Sequence, residues 1–387
     1  MRTTSYLGFV LLFFFTFFSS IAAFPKTDLP PMGFNTWNAF GCDISEDLIN
    51  QQLDVFSYLS QFGYSHFVLD DCVFTGREKT TGKLILDTEK FPSGLVALNN
   101  KIKSVSNNAA SLGVYSCYGR QTCQKRPGSY GHYDVDAKYF IEELGVSYIK
   151  MDWCNSKGLN MQKVMSDFAA AVESTKGYES VTIEACTWGL DNVQTFAMKY
   201  ADMWRISRDI KCSWSSFMHN LHAMAGKHKY SGGGKGYNYP DMLEISCSGM
   251  DFFEQRTQFS AFAAVGSPLV IGADLRKLGK NKELLDVVTN THALALNQDP
   301  SPQGYRMYKD LVDEREIWAR RLSNGDFAVV IFTTMWDYHM DFDIADLGLK
   351  KAKVYDIWND RTFFLDKTIR LELNRHDCFL FRVTPIE

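Results

Sequence analysis

The chain has 387 residues, a formal net charge of −4, 14% aromatic residues and nine cysteines. With so modest a charge and no basic stripe along the sequence, nucleic acid is not the expected partner. The length exceeds what one hydrophobic core usually supports, so a large domain followed by a smaller one is expected.

Arg2 precedes the apolar run LGFVLLFFFTFF (7–18), and SSIAA (19–23) follows with the small residues of a cleavage site. That apolar run is shorter than the roughly 20 residues needed to span a bilayer, so residues 1–23 read as a signal peptide cleaved after Ala23. No later stretch is long and apolar enough to span. The mature chain is therefore expected in the secretory pathway, outside the cell or in a vacuole or lysosome, and free of the membrane after cleavage. In that compartment cysteines pair, and an odd number leaves at least one thiol over.

The first apolar run after the leader is PMGFNTW (31–37). LSQFGYSHFVLDDC (59–72), AASLGVYSCYG (109–119) and IEELGVSYIKMDWC (141–154) then share one pattern. Each passes from a polar-apolar stretch through a glycine into a short apolar run with a polar or sulfur-bearing end. Ile49, Leu53 and Phe56, and later Tyr139, Phe140 and Leu144, have helical spacing, so each glycine is expected to cap a helix in the left-handed conformation. VTIEACTW (181–188), MWRISRD (203–209), YPDMLEI (239–245) and PLVIGAD (268–274) complete eight candidate strands. Strands alternating with helix-length segments predict a parallel sheet, and eight such units in about 270 residues predict a (β/α)8 TIM barrel over residues 24–300. From Ser301 the pattern changes to short alternating runs such as EIWARRLS, DFAVVIFTT and DCFLFRV, with a hairpin signal at Asn324-Gly325-Asp326. Residues 301–387 are expected to form a C-terminal antiparallel β-sandwich domain.

Within YIKMDWC, Val146, Tyr148, Ile149 and Met151 look like a buried strand, yet Lys150 and Asp152 interrupt it. Two residues apart, they point to one face. A structural ion pair would explain this stretch alone, and Asp is common at strand ends because it favours turns. It does not explain the series Trp37, Asp70-Asp71, Lys150 with Asp152, Trp188, Arg205 with Asp209, and Asp241, all at strand ends that a barrel gathers on one face. Two acids at the mouths of different strands are what retaining glycoside hydrolysis needs. Asp152 is the expected nucleophile, with Lys150 beside it to lower its pKa. Asp209, four residues after Arg205, is the expected acid/base. The eight histidines form no HExxH pair and no CxxC occurs, so neither a metal nor another cofactor is expected. No GxSxG elbow is present, and YSGGGKGY (230–237) lacks the lysine-serine ending of a phosphate loop.

PPMGFNTWNAFGC, LDDC, the run from Thr122 to His132, DAKYF, YIKMDWC, WRISRDI, YPDMLEI, SPLVIGADLR and LNQDP together resemble glycoside hydrolase family 27, the α-galactosidases or melibiases. They span residues 30–300 in the family's order, and the β-rich tail resembles the family's C-terminal domain. The resemblance implies Asp152 as nucleophile and Asp209 as acid/base. It also implies a pocket for a terminal galactose lined by Trp37, Asp70, Asp71, Tyr115, Cys123, Lys150, Cys186, Trp188, Arg205, Asp241 and Met242. It further implies disulfides Cys42–Cys72 and Cys123–Cys154. Cys117, Cys186, Cys212, Cys247 and Cys378 are left without assigned partners, and among them the pairing expected is Cys212–Cys247.

Four positions depart from the family pattern: Arg208 before Asp209, Tyr239 before Pro240, Thr187 between Cys186 and Trp188, and Cys117 after Ser116. Each is expected to touch the pocket wall. The partners implied are galactose-containing saccharides; raffinose-type oligosaccharides, galactomannans and glycolipids stay open, as do monomer and homodimer. The rival activities are α-N-acetylgalactosaminidase, galactosyl transglycosylase and β-L-arabinopyranosidase, the last opposed by Asp70 being shorter than Glu. A non-catalytic galactose-binding protein would need neither Asp152 nor Asp209.

Overall fold

The computed structural model describes residues 27–309, 315–334 and 338–386; the expected signal peptide lies outside them. Eight strands make one parallel sheet: β1 (Met32–Asn35), β2 (His66–Leu69), β3 (Ser111–Cys117), β4 (Tyr148–Asp152), β5 (Thr182–Cys186), β6 (Met203–Arg205), β7 (Tyr237–Tyr239) and β8 (Leu269–Ile271). Their order is β8-β1-β2-β3-β4-β5-β6-β7. The last seam closes through one parallel bridge, Leu243 to Ile271, with Leu243 N donating to Val270 O at 2.8 Å. The seventh strand was expected over 239–245 and lies earlier, because Pro240 has no N–H for the ladder and Asp241 takes φ 88°. Pairing resumes only at Leu243.

Gly63 and Gly145 have φ of 95° and 64°, the left-handed turns expected of them. Gly113 differs. It lies inside β3, where a Cβ would stand 2.9 Å from Val68 Cγ2 and 3.0 Å from Tyr148 Cβ, so it makes room for the tyrosine in the barrel. The turn after helix α1 (Gly94–Val105) is made instead by Asn107 and Asn108, at φ 51° and 64°. Outside the strands lie α2 (Met161–Glu173), α3 (Trp214–His222), α4 (Phe252–Val265) and α5 (Thr291–Asn297). Helix α4 starts with a reciprocal capping box between Asp251 and Glu254 and stops at Gly266, φ 67°.

After the barrel come β9 (Tyr305–Lys309), β10 (Arg315–Arg321), β11 (Phe327–Thr333), β12 (Tyr338–Asp343), β13 (Ala352–Asp356), β14 (Arg361–Leu365), β15 (Thr368–Leu373) and β16 (Cys378–Pro385). They form an antiparallel sheet, β9-β10-β11-β16-β13-β14, and a second pair, β12-β15. Met340, Phe342, Leu371 and Leu373 of the pair pack with Ile317, Val329, Ile331, Val354, Phe381 and Val383 of the sheet, as two apolar faces do in a sandwich. The hairpin between β10 and β11 turns at Gly325, φ 91°. Arg320 ties this domain to the barrel: its guanidinium donates to the carbonyls of Leu296 and Asn297 at the end of α5 and of Asp299, Ser301 and Pro302 just past it. Among the described residues no helix is long and apolar enough to cross a membrane.

Candidate active site

Parallel register puts Tyr115, Lys150 and Glu184 side by side on β3, β4 and β5, with Cys117, Asp152 and Cys186 level with one another two residues further on. Alternation then turns Tyr115, Lys150 and Asp152 to the barrel axis, at the C-terminal ends of the strands. A cavity of about 200 Å³ opens there. Ligand pockets for drug-sized molecules run from about 300 Å³ upward, so this one suits a smaller group. Its wall holds Trp37, Asp70, Asp71, Tyr115, Cys123, Lys150, Asp152, Cys186, Arg205, Asp209, Asp241 and Met242, all expected, together with Asn38 and Gln124. Asn38 and Gln124 follow Trp37 and Cys123 directly, and that adjacency was the only signal for them.

Trp188 is not on the wall. It is half-buried at φ 55°, followed by Gly189 at φ 77°, and the two left-handed residues turn the chain back onto β6, where Gly189 N donates to Arg205 O at 3.0 Å. The four departing positions do not line the cavity either. Arg208 is exposed, Thr187 and Cys117 are buried outside it, and Tyr239 packs inside the barrel with Tyr148, Met203, Tyr237 and Met242.

Asp152 ends β4, nearly buried. Its Oδ2 accepts from Tyr115 OH at 3.0 Å and its Oδ1 from Trp153 N at 2.7 Å. Burial pushes its carboxyl up to about 7, against the pull of Lys150, the Trp153 amide and Tyr115. Lys150 lowers it as expected, but desolvation outweighs the cation and the net shift is upward. Lys150 Nζ donates instead to Asp70 Oδ2 at 2.7 Å. Burial disfavours the ammonium, but Asp70, Cys186, Glu184 and Asp152 around it raise its pKa overall.

Asp70 also accepts from Asn35 Nδ2 at 2.8 Å, and its Oδ1 from Asp71 N at 2.9 Å. Asp71 accepts from Cys72 N at 2.7 Å and Gln124 N at 3.0 Å, and burial raises its carboxyl. Asn35 and Lys150 together fill Asp70 Oδ2, whereas Asp70 Oδ1, with one donor, keeps a lone pair for a ligand hydroxyl. Cys42 is bonded to Cys72 and Cys123 to Cys154, with Cα atoms 5.3 and 5.1 Å apart. Both Cys123 Sγ and Cys154 Sγ lie 3.8 Å from Asp152; a disulfide carries no S–H, so these are packing contacts. The bridge occupies both sulfurs, so Cys123, Cys154 and Asp152 do not make a metal site. Cys212 pairs with Cys247 as well, and Cys117, Cys186 and Cys378 are buried thiols.

Asp209 stands at the rim with its side chain 70% exposed, 3.0 Å from Arg205 Nη2. The same nitrogen lies 2.8 Å from Asp241 Oδ2. Asp241 was expected to bind substrate, yet its carboxylate already accepts from Ile210 N at 2.8 Å and Met242 N at 2.9 Å besides the guanidinium. One acid is thus buried at the cavity floor and the other open to water at its mouth. Two carboxyls so placed can share acid–base and nucleophilic work, one held rigidly inside the cavity and one free to exchange protons at its mouth.

Residues 29–299 match the family model described as "Alpha galactosidase A", and residues 312–383 the model of the α-galactosidase C-terminal β-sandwich domain. An α-galactosidase of Cyamopsis tetragonoloba is 32% identical over 92% of this chain and 86% of its own length. One of Coffea arabica is 34% identical over 92% and 94%. The solved structure of an α-galactosidase from Saccharomyces cerevisiae with raffinose superimposes with a TM-score of 0.81, covering 93% of this chain and 98% of that one; at 23% identity it speaks for the fold alone. By its matched domains and its relatives, the chain belongs to glycoside hydrolase family 27 and is an enzyme of the α-galactosidase group.

Proposed function

We propose that this chain removes terminal non-reducing α-galactose from oligosaccharides by double displacement, with the anomeric configuration retained. Asp152 attacks the anomeric carbon and forms a covalent glycosyl ester. Asp209 protonates the leaving oxygen, then takes a proton from the water that releases the sugar. Asp70, Asp71 and Lys150 grip hydroxyls, and Trp37 presents an apolar face to the C–H side of the ring. The observation that carries this is the shared cavity: a buried Asp152 and a rim Asp209 on one wall, in a space sized for one sugar. Because the cavity is small, one ring enters it and the rest of the saccharide lies outside. The three disulfides support a secreted or vacuolar setting.

The deciding experiment follows p-nitrophenyl α-galactoside hydrolysis by proton NMR, beside the N-acetylgalactosaminide and β-L-arabinopyranoside. The expected result is turnover of the galactoside with α-galactose appearing first. Initial β-galactose, or faster turnover of either competitor, overturns the proposal.

A further inference from the structure

Asp209 is mostly exposed, so packing does not hold it, yet a proton donor must sit within hydrogen-bond reach of one oxygen. The residues on either side of it are held instead. Ile210 N, after it, donates to Asp241 Oδ2 at 2.8 Å. Arg208 O, before it, accepts from Asn220 Nδ2 at 3.0 Å. The same amide nitrogen donates to Pro240 O at 2.9 Å, the carbonyl just before Asp241. Asn220 is fully buried on α3, and its Oδ1 is buried without a partner. An amide in that position is costly unless its donors do something, because a buried acceptor left unpaired is destabilising. Its two protons join two loops that no strand pairing joins at that point: β6 ends at Arg205 and β7 at Tyr239.

We propose that Asn220 is a positioning residue for Asp209. It clamps the carbonyls before Asp209 and before Asp241, so that Asp241, Arg205 and Asp209 keep one geometry at the cavity mouth. This rests on Asp209 being the acid/base. The sequence gives no hint of it, since Asn220 sits 11 residues from Asp209 in MHNLHAM, where it looks like an ordinary helical amide.

The test uses the full chain with Asn220→Leu, Asn220→Ser and Asp209→Ala, and two substrates. Dinitrophenyl α-galactoside has a leaving group that needs no proton; methyl α-galactoside has one that does. The ratio of their kcat/KM values is independent of how much of a variant is folded, so partial misfolding does not blur it. Displacing a catalytic group by about 1 Å costs on the order of 100-fold. The expected result is that Asn220→Leu loses about 10- to 100-fold on the methyl galactoside and less than about threefold on the dinitrophenyl one. Asn220→Ser, which keeps one donor, falls between it and wild type. Equal losses on both substrates, with a lower melting temperature, would make Asn220 a scaffold residue and overturn the proposal. Asp209→Ala is the control: if its ratio stays at the wild-type value, the assignment of Asp209 fails first. If only Asp209→Ala shifts the ratio, the clamp alone is wrong.

Discussion

Lys150 Nζ and Asp70 Oδ2 are 2.7 Å apart, a buried ion pair that joins β4 to the end of β2 on the cavity wall. Asp152, two residues after the lysine, is left with a hydroxyl and an amide as its hydrogen-bond partners. Lys150→Met therefore acts twice. It leaves Asp70 buried and unpaired, which costs about 3–5 kcal/mol of stability. It also removes the cation that pulls Asp152 down, so the anion forms only at higher pH. The expected outcome is a lower melting temperature and an acidic limb of kcat/KM displaced upward. A limb that stays in place would leave Lys150 with hydroxyl binding alone.

Asp152→Asn is expected to lose more than about 1,000-fold in turnover, since an amide forms no glycosyl ester. Its stability should move the other way. The carboxyl titrates near 3.8 when unfolded and near 7 in the fold. Between those values the folded state holds more protons, so stability falls as pH rises. The Asn variant lacks this penalty. It should melt above wild type near pH 8, and the gain should vanish below about pH 4. Thermal melts across that range check the sign; a gain that is constant with pH would disprove it.

Arg208 is exposed and off the cavity wall, so Arg208→Gly should leave the alkaline limb and the ratio of galactomannan to aryl galactoside activity unchanged. Its charge reaches His219 instead, whose pKa is lowered by desolvation and then by Arg208. Histidine proton shifts in the variant should show His219 titrating at higher pH. A changed substrate ratio would place the guanidinium at the mouth after all.

Arg320→Lys is expected to destabilise by about 2–4 kcal/mol, because an ammonium cannot serve the five carbonyls that the guanidinium fork reaches. Denaturant unfolding measures it. A loss under about 1 kcal/mol would mean that other contacts hold the barrel end to β10.

Much of the site was legible because the barrel converts position along a strand into position in space. Asp70, Asp152 and Arg205 each close an apolar run, Lys150 shares a face with Asp152, and parallel register carries every such end to one face. Gly113 misled, since a glycine before an apolar run reads the same whether it caps a helix or yields space to Tyr148 across the ladder. Trp188 misled in a similar way: it ends an apolar run, but the left-handed turn through Gly189 takes it off the wall.

Periodicity, the glycine turns and the acids at strand ends are local properties, and from them the chain's alternation, its two-part layout and two candidate carboxylates that share one cavity, Asp152 and Asp209, were readable. Which charges meet was not. Hydrogen bonds and desolvation act over a few ångströms and ignore sequence separation, so Lys150 found Asp70 at 80 residues' distance and burial reversed the pKa expected for Asp152. For the same reason only the folded chain could place Asn220 between Arg208 and Pro240, on the two separate loops that carry Asp209 and Asp241.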